Sequence, residues 1–468
     1  MPPSPFPLPP SPSSYEPSFR DPDSGVHLQE GRVFRFFTGR GVAAFESLRR
    51  SGLLDSLVRQ GLVLPYEMVS DEALTEPVPA DAVVIEQPVL PFVSYPYEWP
   101  FGMLQAAAQL HLDLIETALQ AGFSLKDASA YNIQFLGTRP VFIDLGSFAP
   151  YQEGQPWYAY TQFCQMFLNP LLLYALTGTP YHWWLRSAIE GIPPGRLSPL
   201  LGLRHKLRRA VFVHVVLQGQ LQRRLASLGT RLAGQRPQVA RQAVLRNIAA
   251  LRRAIGSLTP PSGPSAWSGY DDSQSYSSPA REQKAAFVAQ VVQQLTPSTI
   301  WDLGCNQGDY TELASRHARS VVAMDGDPQA VDLLYRRLKG REQVLPLVMD
   351  LLNPSPDQGW AERERLGLAA RGKADFVLCL ALLHHLRIGG NVPLAAIIRW
   401  LAQVARAGIL EFVPRSDPMA RRLMGWREDI WADYTQASLE TELARYFRIE
   451  RTLPLGGSAR VLYHLGPP

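Results

Sequence analysis

The chain has 468 residues, 46% of them hydrophobic, which is enough for two or three domains with apolar cores. Its formal net charge of +4 at pH 7 is too small to indicate nucleic-acid binding by itself. The cysteines Cys164, Cys305 and Cys379 lie far apart and predict neither a disulfide framework nor a zinc site. We therefore expect a protein of the reducing cytosol with no bound metal.

Residues 1–25 are rich in proline and serine and lack the basic and apolar regions of a signal peptide. We expect a disordered, partly polyproline tail there. The longest apolar runs, such as "PLLLYAL" and "AVFVHVVL", are far shorter than the ~20 residues of a membrane-spanning helix. No membrane span is therefore expected.

Residues 26–195 mix short strand and helix patterns, which predicts an α+β domain. The segment "VVIEQPVLPFV" predicts a strand broken by Pro88, and a helical pattern beginning at Phe101 ends at Gly122, a residue typical of C-caps. The segments "NIQFL" and "PVFIDL" predict a hairpin.

Residues 196–258 are predicted to form a basic helical connector. The part from 201 to 258 carries a dozen Arg or Lys and no Asp or Glu, and it predicts two or three amphipathic helices with a break near Pro237. Nucleic acid, anionic lipid and a phosphorylated substrate are partners that such a segment could bind, although no aromatic residues are interleaved for base stacking. We favour a connector packed between domains.

Residues 259–280 are rich in Pro, Ser and Gly and predict a linker. From 281 to 468 strand and helix patterns alternate, which predicts parallel βαβ units in a doubly wound α/β sheet. The segments "FRIERTLPLGG" and "ARVLYHL" predict a closing pair of strands.

A glycine turn in "TIWDLGCNQG" follows the first strand pattern of this α/β region. Ligands of open α/β sheets bind beyond the carboxyl ends of the strands, and Gly304 and Gly308 would allow close approach to the backbone there. A helix starting near Asp309 would direct free N–H groups at the same place. Asn306 stands where a third glycine is expected, and asparagine is the non-glycine residue that best tolerates a left-handed backbone.

Three successive strand patterns end in an acidic residue, namely Asp302, Asp325 and Asp350. Since parallel neighbouring strands end at one edge, we expect these carboxylates to face one crevice. The glycine spacing does not fit the G-x-G-x-x-G turn of dinucleotide sites, and clustered carboxylates would repel a pyrophosphate. They would suit a cationic nucleoside.

The ordered set "DLGCNQG", "AMDGD", "VMDLLN" and "ADFVLCLALLHHL" resembles class I S-adenosylmethionine (SAM) methyltransferases over residues 266 to 468. The resemblance implies a Rossmann-like sheet and SAM as cofactor. The residues that it implies for cofactor binding are Asp302, Gly304, Asn306, Gly308, Asp325, Asp350 and Leu351.

The resemblance also implies a role for each carboxylate. Asp302 and the glycine backbone would lie against the methionyl part of the cofactor, Asp325 would accept from the ribose hydroxyls, and Asp350 would hold the adenine amino group beside Leu351. Tyr270, like the nearby Tyr276, would fold over the cofactor or pack as an ordinary aromatic residue.

Methyl transfer is an in-line displacement, in which positioning supplies much of the rate and a base is needed only if the acceptor loses a proton. The "LHHL" segment places His384 and His385 past the fourth strand pattern, where many small-molecule methyltransferases have a similar stretch. Either histidine, or Glu411 at the end of the fifth strand pattern, is a candidate for the base, with structural and rim roles as alternatives. No N/D-P-P-Y/F sequence is present, which argues against the amide- and base-N-methylating branch.

In "LKDASAYNIQFLGTRPVFIDLGSF", Asp127 precedes Asn132 by five residues and Asp144 opens D-L-G after the predicted hairpin. This segment resembles the catalytic and magnesium loops of protein kinases over residues 100 to 160. The resemblance implies a kinase-like domain, with Asp127 as base and the other two residues on magnesium beside ATP if the domain is active.

The kinase resemblance is incomplete. Leu125 stands where kinases have His or Tyr, and the phosphate-binding lysine is missing unless Arg32 or Arg35 replaces it. A degenerate kinase-like module that positions the methyl acceptor, and a helix–hairpin unit whose aspartates cap turns, are the alternatives.

The sequence predicts a cytoplasmic SAM-dependent methyltransferase acting on an unidentified small-molecule or glycan-type acceptor. The layout resembles large bacterial methyltransferases of specialised or surface-glycan metabolism, including some labelled nodulation proteins. Three alternatives stay open: a bifunctional phosphotransferase and methyltransferase, an RNA methyltransferase that uses the arginines, and a non-catalytic binding protein.

Overall fold

The computed structural model describes residues 20–70, 74, 78–79, 81–228, 238–261 and 278–468. Most of the predicted proline-rich tail, the predicted break near Pro237 and the tyrosines Tyr270 and Tyr276 lie outside these ranges. No helix within them is long and apolar enough to cross a bilayer.

The N-terminal region begins with a four-stranded antiparallel sheet in the order β1-β2-β4-β3. Its first strand starts at Ser24, two residues before the predicted domain boundary, and its last ends at Gln87, directly before Pro88. The elements are β1 (Ser24–Gln29), β2 (Arg32–Phe37), α1 (Arg40–Arg50), α2 (Leu53–Arg59), β3 (Glu67–Val69) and β4 (Val83–Gln87).

A long helix and two small sheets follow this first sheet. The helix has thirteen buried residues and is succeeded by Gly122 at φ +81°, a left-handed conformation that ends a helix as predicted. The predicted hairpin is confirmed as the antiparallel pair β6–β7. The elements are α3 (Phe101–Gln120), β5 (Phe123–Leu125), β6 (Ile133–Leu136), β7 (Arg139–Phe142) and β8 (Phe148–Pro150).

Helices fill the rest of the N-terminal half. Helix α9 runs through a π-helical stretch, Phe212–Leu217, into α10, and α11 packs its buried apolar face on α3. The helices are α4 (Tyr160–Phe163), α5 (Asn169–Thr177), α6 (His182–Ser187), α7 (Pro194–Leu197), α8 (Leu203–Lys206), α9 (Arg209–Val211), α10 (Gln218–Leu228) and α11 (Arg241–Gly256).

The C-terminal half contains the predicted α/β sheet, with seven strands in the order β11-β10-β9-β12-β13-β15-β14. The first five are parallel, and β15 and β14 form the predicted closing pair in antiparallel orientation. Its strands are β9 (Thr299–Leu303), β10 (Ser320–Asp325), β11 (Val344–Val348), β12 (Ala374–Cys379), β13 (Ala405–Phe412), β14 (Arg448–Pro454) and β15 (Val461–Gly466). Its helices are α12 (Ser278–Leu295), α13 (Asp309–Ser315), α14 (Pro328–Arg337), α15 (Leu394–Val404), α16 (Pro418–Met424) and α17 (Gln436–Leu443).

The two halves share a buried contact surface. Glu98 and Arg371 form an ion pair at 2.6 Å with both side chains 1% exposed, and Trp301 of β9 meets Phe92 edge to face at 5.7 Å between ring centroids. The Asp332 carboxylate on α14 accepts the N–H of Gly102 on α3 at 2.6 Å. An isolated charge left at such a place would be costly, so each partner of this ion pair depends on the other half of the chain for its counter-charge.

Candidate active site

The sheet order places the carboxyl ends of β9, β10 and β11 side by side, next to the boundary between β9 and β12, where the chain returns from β11 to the other side of β9. Open α/β sheets bind their ligands at such a switch point. The three acidic residues that the sequence predicts there lie at this edge: Asp325 is the last residue of β10, Asp302 is the second-to-last of β9, and Asp350 is the second residue after β11.

The glycine turn is strongly left-handed. Gly304 and Gly308 have φ of +74° and +83°, and a Cβ at Gly308 would lie 2.4 Å from Cδ1 of Leu334, so a larger residue would strain the backbone and displace that side chain. Asn306 adopts φ +49°, so asparagine takes the left-handed conformation expected of it. The N–H of Gly304 donates to the carbonyl of Met324 at 2.8 Å and ties the turn to β10.

Asp302 is buried beneath this turn. Its carboxylate accepts the hydroxyl of Thr311 on α13 at 2.5 Å, and burial raises its pKa to about 6. The side chain is 2% exposed and therefore supports the turn from below.

Asp325 connects the turn to the second strand. Its two carboxylate oxygens accept the N–H groups of Asn306 and Asp327, each at 2.8 Å. Burial raises the pKa of this carboxyl, while the two N–H donors oppose that effect. The carboxylate thus fixes the turn and remains partly accessible at the strand end.

A cavity of about 300 Å³ lies beside Asp350, where the third strand ends. Asp350 is exposed and accepts the N–H of Leu352 at 2.9 Å, while Leu351 is half-buried against the core. The sheet domain lines the cavity with Gly326, Asp327, Gln329, Val348, Met349 and Asp350.

The opposite wall of the cavity comes from the N-terminal half, which the sequence reasoning missed. Trp183 of α6 is 68% exposed and lies at the cavity with Tyr97 and Tyr174. Arg186, also on α6, donates to the carbonyl of Asn353 at 2.8 Å and to that of Pro354 at 2.7 Å, which fixes the loop after β11. No local motif around α6 indicates this role, because the contact spans 167 residues of sequence.

The two candidate histidines lie next to each other, with ring centroids 4.2 Å apart. Burial and the nearby Arg460 charge lower the pKa of His385 to about 4. Burial and the neighbouring His385 lower the pKa of His384 well below its ordinary value. Both imidazoles are therefore neutral at pH 7, and a neutral imidazole is able to accept a proton.

Glu411 is not a rim residue. Its side chain is fully buried, pairs with Lys284 of α12 at 2.8 Å and accepts the N–H of Ala381 at 3.0 Å. Arg460 lies 3.6 Å away and also binds Asp417. Glu411 thus belongs to an internal network that joins α12, β13 and the start of α16.

The kinase-like residues also come together, behind the β6–β7 hairpin. The amide of Asn132 donates to Asp127 at 3.0 Å and to Asp144 at 3.3 Å, and the hydroxyl of Ser147 donates to Asp144 at 2.5 Å. Arg35 pairs with Asp144 at 2.9 Å. A neighbouring cavity lined by Gly146 has a volume of only about 10 Å³.

Two further sequence expectations concern this cluster. Arg35, and not Arg32, is the arginine that reaches it, since Arg32 pairs with Glu86 on the adjacent strand. Among the described residues, no group of three His, Cys, Asp or Glu side chains is arranged to hold a metal ion.

Comparisons with known proteins agree with the α/β geometry. A family model described as a methyltransferase domain matches residues 301–410. The chain is 39% identical to nodulation protein NoeA of Rhizobium meliloti (strain 1021) over 465 residues. This alignment covers 97% of this chain and 96% of that protein.

Solved methyltransferase structures resemble the C-terminal half. N-methyltransferase NodS from Bradyrhizobium japonicum WM9 is 14% identical, with a TM-score of 0.31, over 41% of this chain and 98% of that one. Magnesium protoporphyrin IX methyltransferase (ChlM) from Synechocystis PCC 6803 is 20% identical, with a TM-score of 0.30, over 40% of this chain and 84% of that one. Likenesses of this strength carry no argument about the substrate.

Proposed function

The chain belongs to the family of nodulation protein NoeA and is a SAM-dependent methyltransferase, and from this premise we propose that it methylates a small-molecule or glycan-type acceptor. The observation that carries the proposal is the edge formed by β9, β10 and β11, where the left-handed glycine turn donates to the strand-end carboxylate of Asp325 and the next residues, Gly326 and Asp327, line a cavity of about 300 Å³.

The residues at this edge fit a cationic sulfur nucleoside. The Asp325 carboxylate would accept hydrogen bonds from vicinal hydroxyls, and Asp350, which lines the cavity, would accept from an amino group. Negative charge at the strand ends also attracts a sulfonium ion. SAM, when bound, supplies an electrophilic methyl group, and the turn from Gly304 to Gly308 would hold its methionyl part above the buried Asp302.

The chain's own contribution to catalysis is positioning. The crevice would orient the acceptor's nucleophilic atom in line with the methyl group and exclude water. For an acceptor that must lose a proton, His385 is the group we assign as base, because it follows the fourth strand and its imidazole is neutral at pH 7. A pKa of about 4 makes this imidazole a weak base, so it suits an acceptor that loses its proton readily. His384 would pack behind it, and the ion-paired Glu411 would position the strand end.

The N-terminal half would serve the same site. We assign it as a degenerate kinase-like module whose helix α6 closes the adenosine end of the cavity with Trp183 and Arg186. Asp144 is already engaged by Arg35, which leaves its carboxylate paired within the fold.

Calorimetric titration of the full chain with SAM tests the cofactor site. We expect micromolar binding that falls by more than about a hundredfold in Asp325→Ala, because two hydrogen bonds to a charged group are lost at about 1.5–3 kcal/mol each. Asp375→Ala, at the opposite end of the neighbouring strand β12, is the matched control and should bind normally. Absence of binding by the unaltered chain would instead support a non-catalytic protein.

Radiolabelled SAM incubated with the chain and an extract of its source organism tests the acceptor class. Label in a small or glycan fraction supports the proposal, and label in RNA that is lost at high salt contradicts it. Asp325→Ala should abolish the label in either fraction.

A further inference from the structure

The helix that runs from α9 through Phe212–Leu217 into α10 has two faces of different character. Its inner face is fixed to the protein body: Nδ1 of His214 lies 2.6 Å from the Tyr160 hydroxyl oxygen, and the amide of Gln218 donates to Thr161 at 3.1 Å. Val215 is buried between these contacts. The helix therefore lies flat on the surface, with its other face turned outward.

The outward face is apolar. Phe212, Val213, Leu217 and Leu221 are 40–57% exposed, at spacings that bring them to one side of the helix. Leu203 and Leu207, just upstream, are each 75% exposed.

These six side chains are concentrated in a short stretch. Nineteen large apolar residues are exposed in the described part of the chain, and six of them fall within residues 203–221. Scattered apolar residues are normal on a surface, whereas a cluster of this kind marks an interaction site.

The segment that carries this face is basic in sequence. The sequence from Gly191 to Tyr270 contains no aspartate or glutamate. Arg204, Arg208 and Arg209 border the apolar side chains, and none of the three forms an ion pair with a carboxylate in the described ranges. The patch therefore presents apolar side chains ringed by cations that have no internal counter-charge.

We propose that this patch, residues 203–221, attaches the protein to the surface of an anionic lipid bilayer. A helix that lies flat, inserts Phe and Leu side chains at the headgroup boundary and surrounds them with arginines has the chemistry of an interfacial membrane anchor. An RNA partner would use the arginines but leave the apolar side chains exposed to water, and a second copy of the chain would bring a second set of arginines against the first. An anionic bilayer would bury the apolar side chains and also neutralise the arginines.

Vesicle sedimentation of the full chain tests the proposal. The chain should bind vesicles of equimolar phosphatidylcholine and phosphatidylglycerol and should not bind vesicles of phosphatidylcholine alone. The double variant Phe212→Gln, Leu217→Gln should lower the partition coefficient by about tenfold or more, because it removes the inserted apolar groups. The control Leu28→Gln, Met68→Gln changes two exposed apolar residues elsewhere and should bind normally.

The charge requirement is measured in the same assay. Arg204→Gln, Arg208→Gln and Arg209→Gln should each weaken binding by about fivefold at low salt. The control Arg319→Gln, an exposed arginine outside the patch, should have no effect. An unaltered circular-dichroism spectrum and urea midpoint in every variant show that the fold is intact, so that the result is independent of the proposed methyl transfer.

Insertion is read directly from a label at the helix. The three native cysteines are buried, so Leu217→Cys is expected to accept a polarity-sensitive thiol dye selectively. Its emission should shift to the blue on anionic vesicles. An unshifted emission, no binding to vesicles, or a concentration-dependent dimer that Phe212→Gln, Leu217→Gln abolishes would each overturn the proposal, and so would RNA binding in place of vesicle binding.

Discussion

Asp325 in the C-terminal half and Asp144 in the N-terminal half are both predicted from the sequence to face a ligand, but their carboxylates have different partners. Asp325 accepts only backbone N–H groups in the contacts described above and lies near a cavity of about 300 Å³. Asp144 is held by the guanidinium of Arg35, and the cavity near it has about 10 Å³.

Asp325 therefore has the properties of a ligand-binding residue, whereas Asp144 has those of a residue that stabilises the fold. Backbone N–H donors orient a carboxylate and leave its charge uncompensated, so that it can still attract a cationic or hydroxyl-bearing ligand. A buried arginine compensates the charge and costs free energy when it is left alone. Sequence spacing alone therefore does not distinguish a ligand-binding carboxylate from a structural one. The structure must also show whether a cationic side chain already pairs with the carboxylate.

The largest expected effect concerns the surface between the halves. Glu98→Ala should lower the free energy of unfolding by about 3–5 kcal/mol, because it leaves Arg371 buried without its partner. Urea unfolding followed by circular dichroism measures this. The control is Glu342→Ala, which breaks the exposed pair with Arg139 and should cost about 1 kcal/mol or less. Two separate transitions, with the C-terminal one unchanged, would show that the halves fold independently.

Asp144→Ala tests whether the N-terminal cluster is structural, as Asp144 paired with Arg35 suggests, or binds nucleotide. We expect a loss of about 2–3 kcal/mol of stability, because Arg35 is 7% exposed in the pair, with no change in SAM affinity. Calorimetry with magnesium and ATP completes the test. Binding by the unaltered chain that Asp144→Ala removes would restore the bifunctional alternative.

Trp183→Ala sharpens the claim that the N-terminal half closes the cofactor cavity. Loss of an aromatic wall should weaken binding of S-adenosylhomocysteine by about fivefold, equal to about 1 kcal/mol. Trp426→Ala, at a fully exposed tryptophan that does not line the cavity, is the matched control and should bind normally. Equal affinities in all three proteins would remove α6 from the site.

The pH dependence of methyl transfer is the smallest expected effect. Because burial lowers the pKa of His385 to about 4, its imidazole stays mostly neutral as the pH falls from 8 to 5 and is half protonated only near pH 4. We expect kcat/KM to change by less than about twofold over that range, whereas a histidine with an ordinary pKa of about 6.5 would lose about thirtyfold at pH 5. His385→Gln should lower kcat at every pH if the imidazole is the base, and a profile with a midpoint near pH 6.5 would contradict this assignment.

Much of the C-terminal half was predictable because its signals are local. The alternation of apolar strands and amphipathic helices predicts the parallel sheet, and the turn residues Gly304 and Gly308 take the conformation that only glycine adopts readily. The left-handed Asn306 follows from the same backbone preference. The acidic residues at successive strand ends were predicted to share one edge because neighbouring parallel strands end at the same edge of a sheet.

Other features depend on partners that are distant in sequence. Glu411 ends a strand, which suggests a rim position, yet the fold brings Lys284 from the preceding helix and buries both charges. Arg186 and Asn353 form part of the cavity wall although 167 residues separate them. The sequence predicts an amphipathic helix around Phe212 and Leu217, but only the fold shows that these apolar side chains face solvent while the opposite side of the helix is covered.

The sequence by itself determined the methyltransferase-like sheet, the left-handed turn and the row of strand-end acids, because backbone preference and hydrophobic periodicity act between near neighbours. Only the tertiary structure decided which carboxylates keep their charge available, which half supplies the second wall of the cavity and which helix face meets solvent. Those outcomes depend on burial and on long-range ion pairs, and both depend on how separate segments pack together.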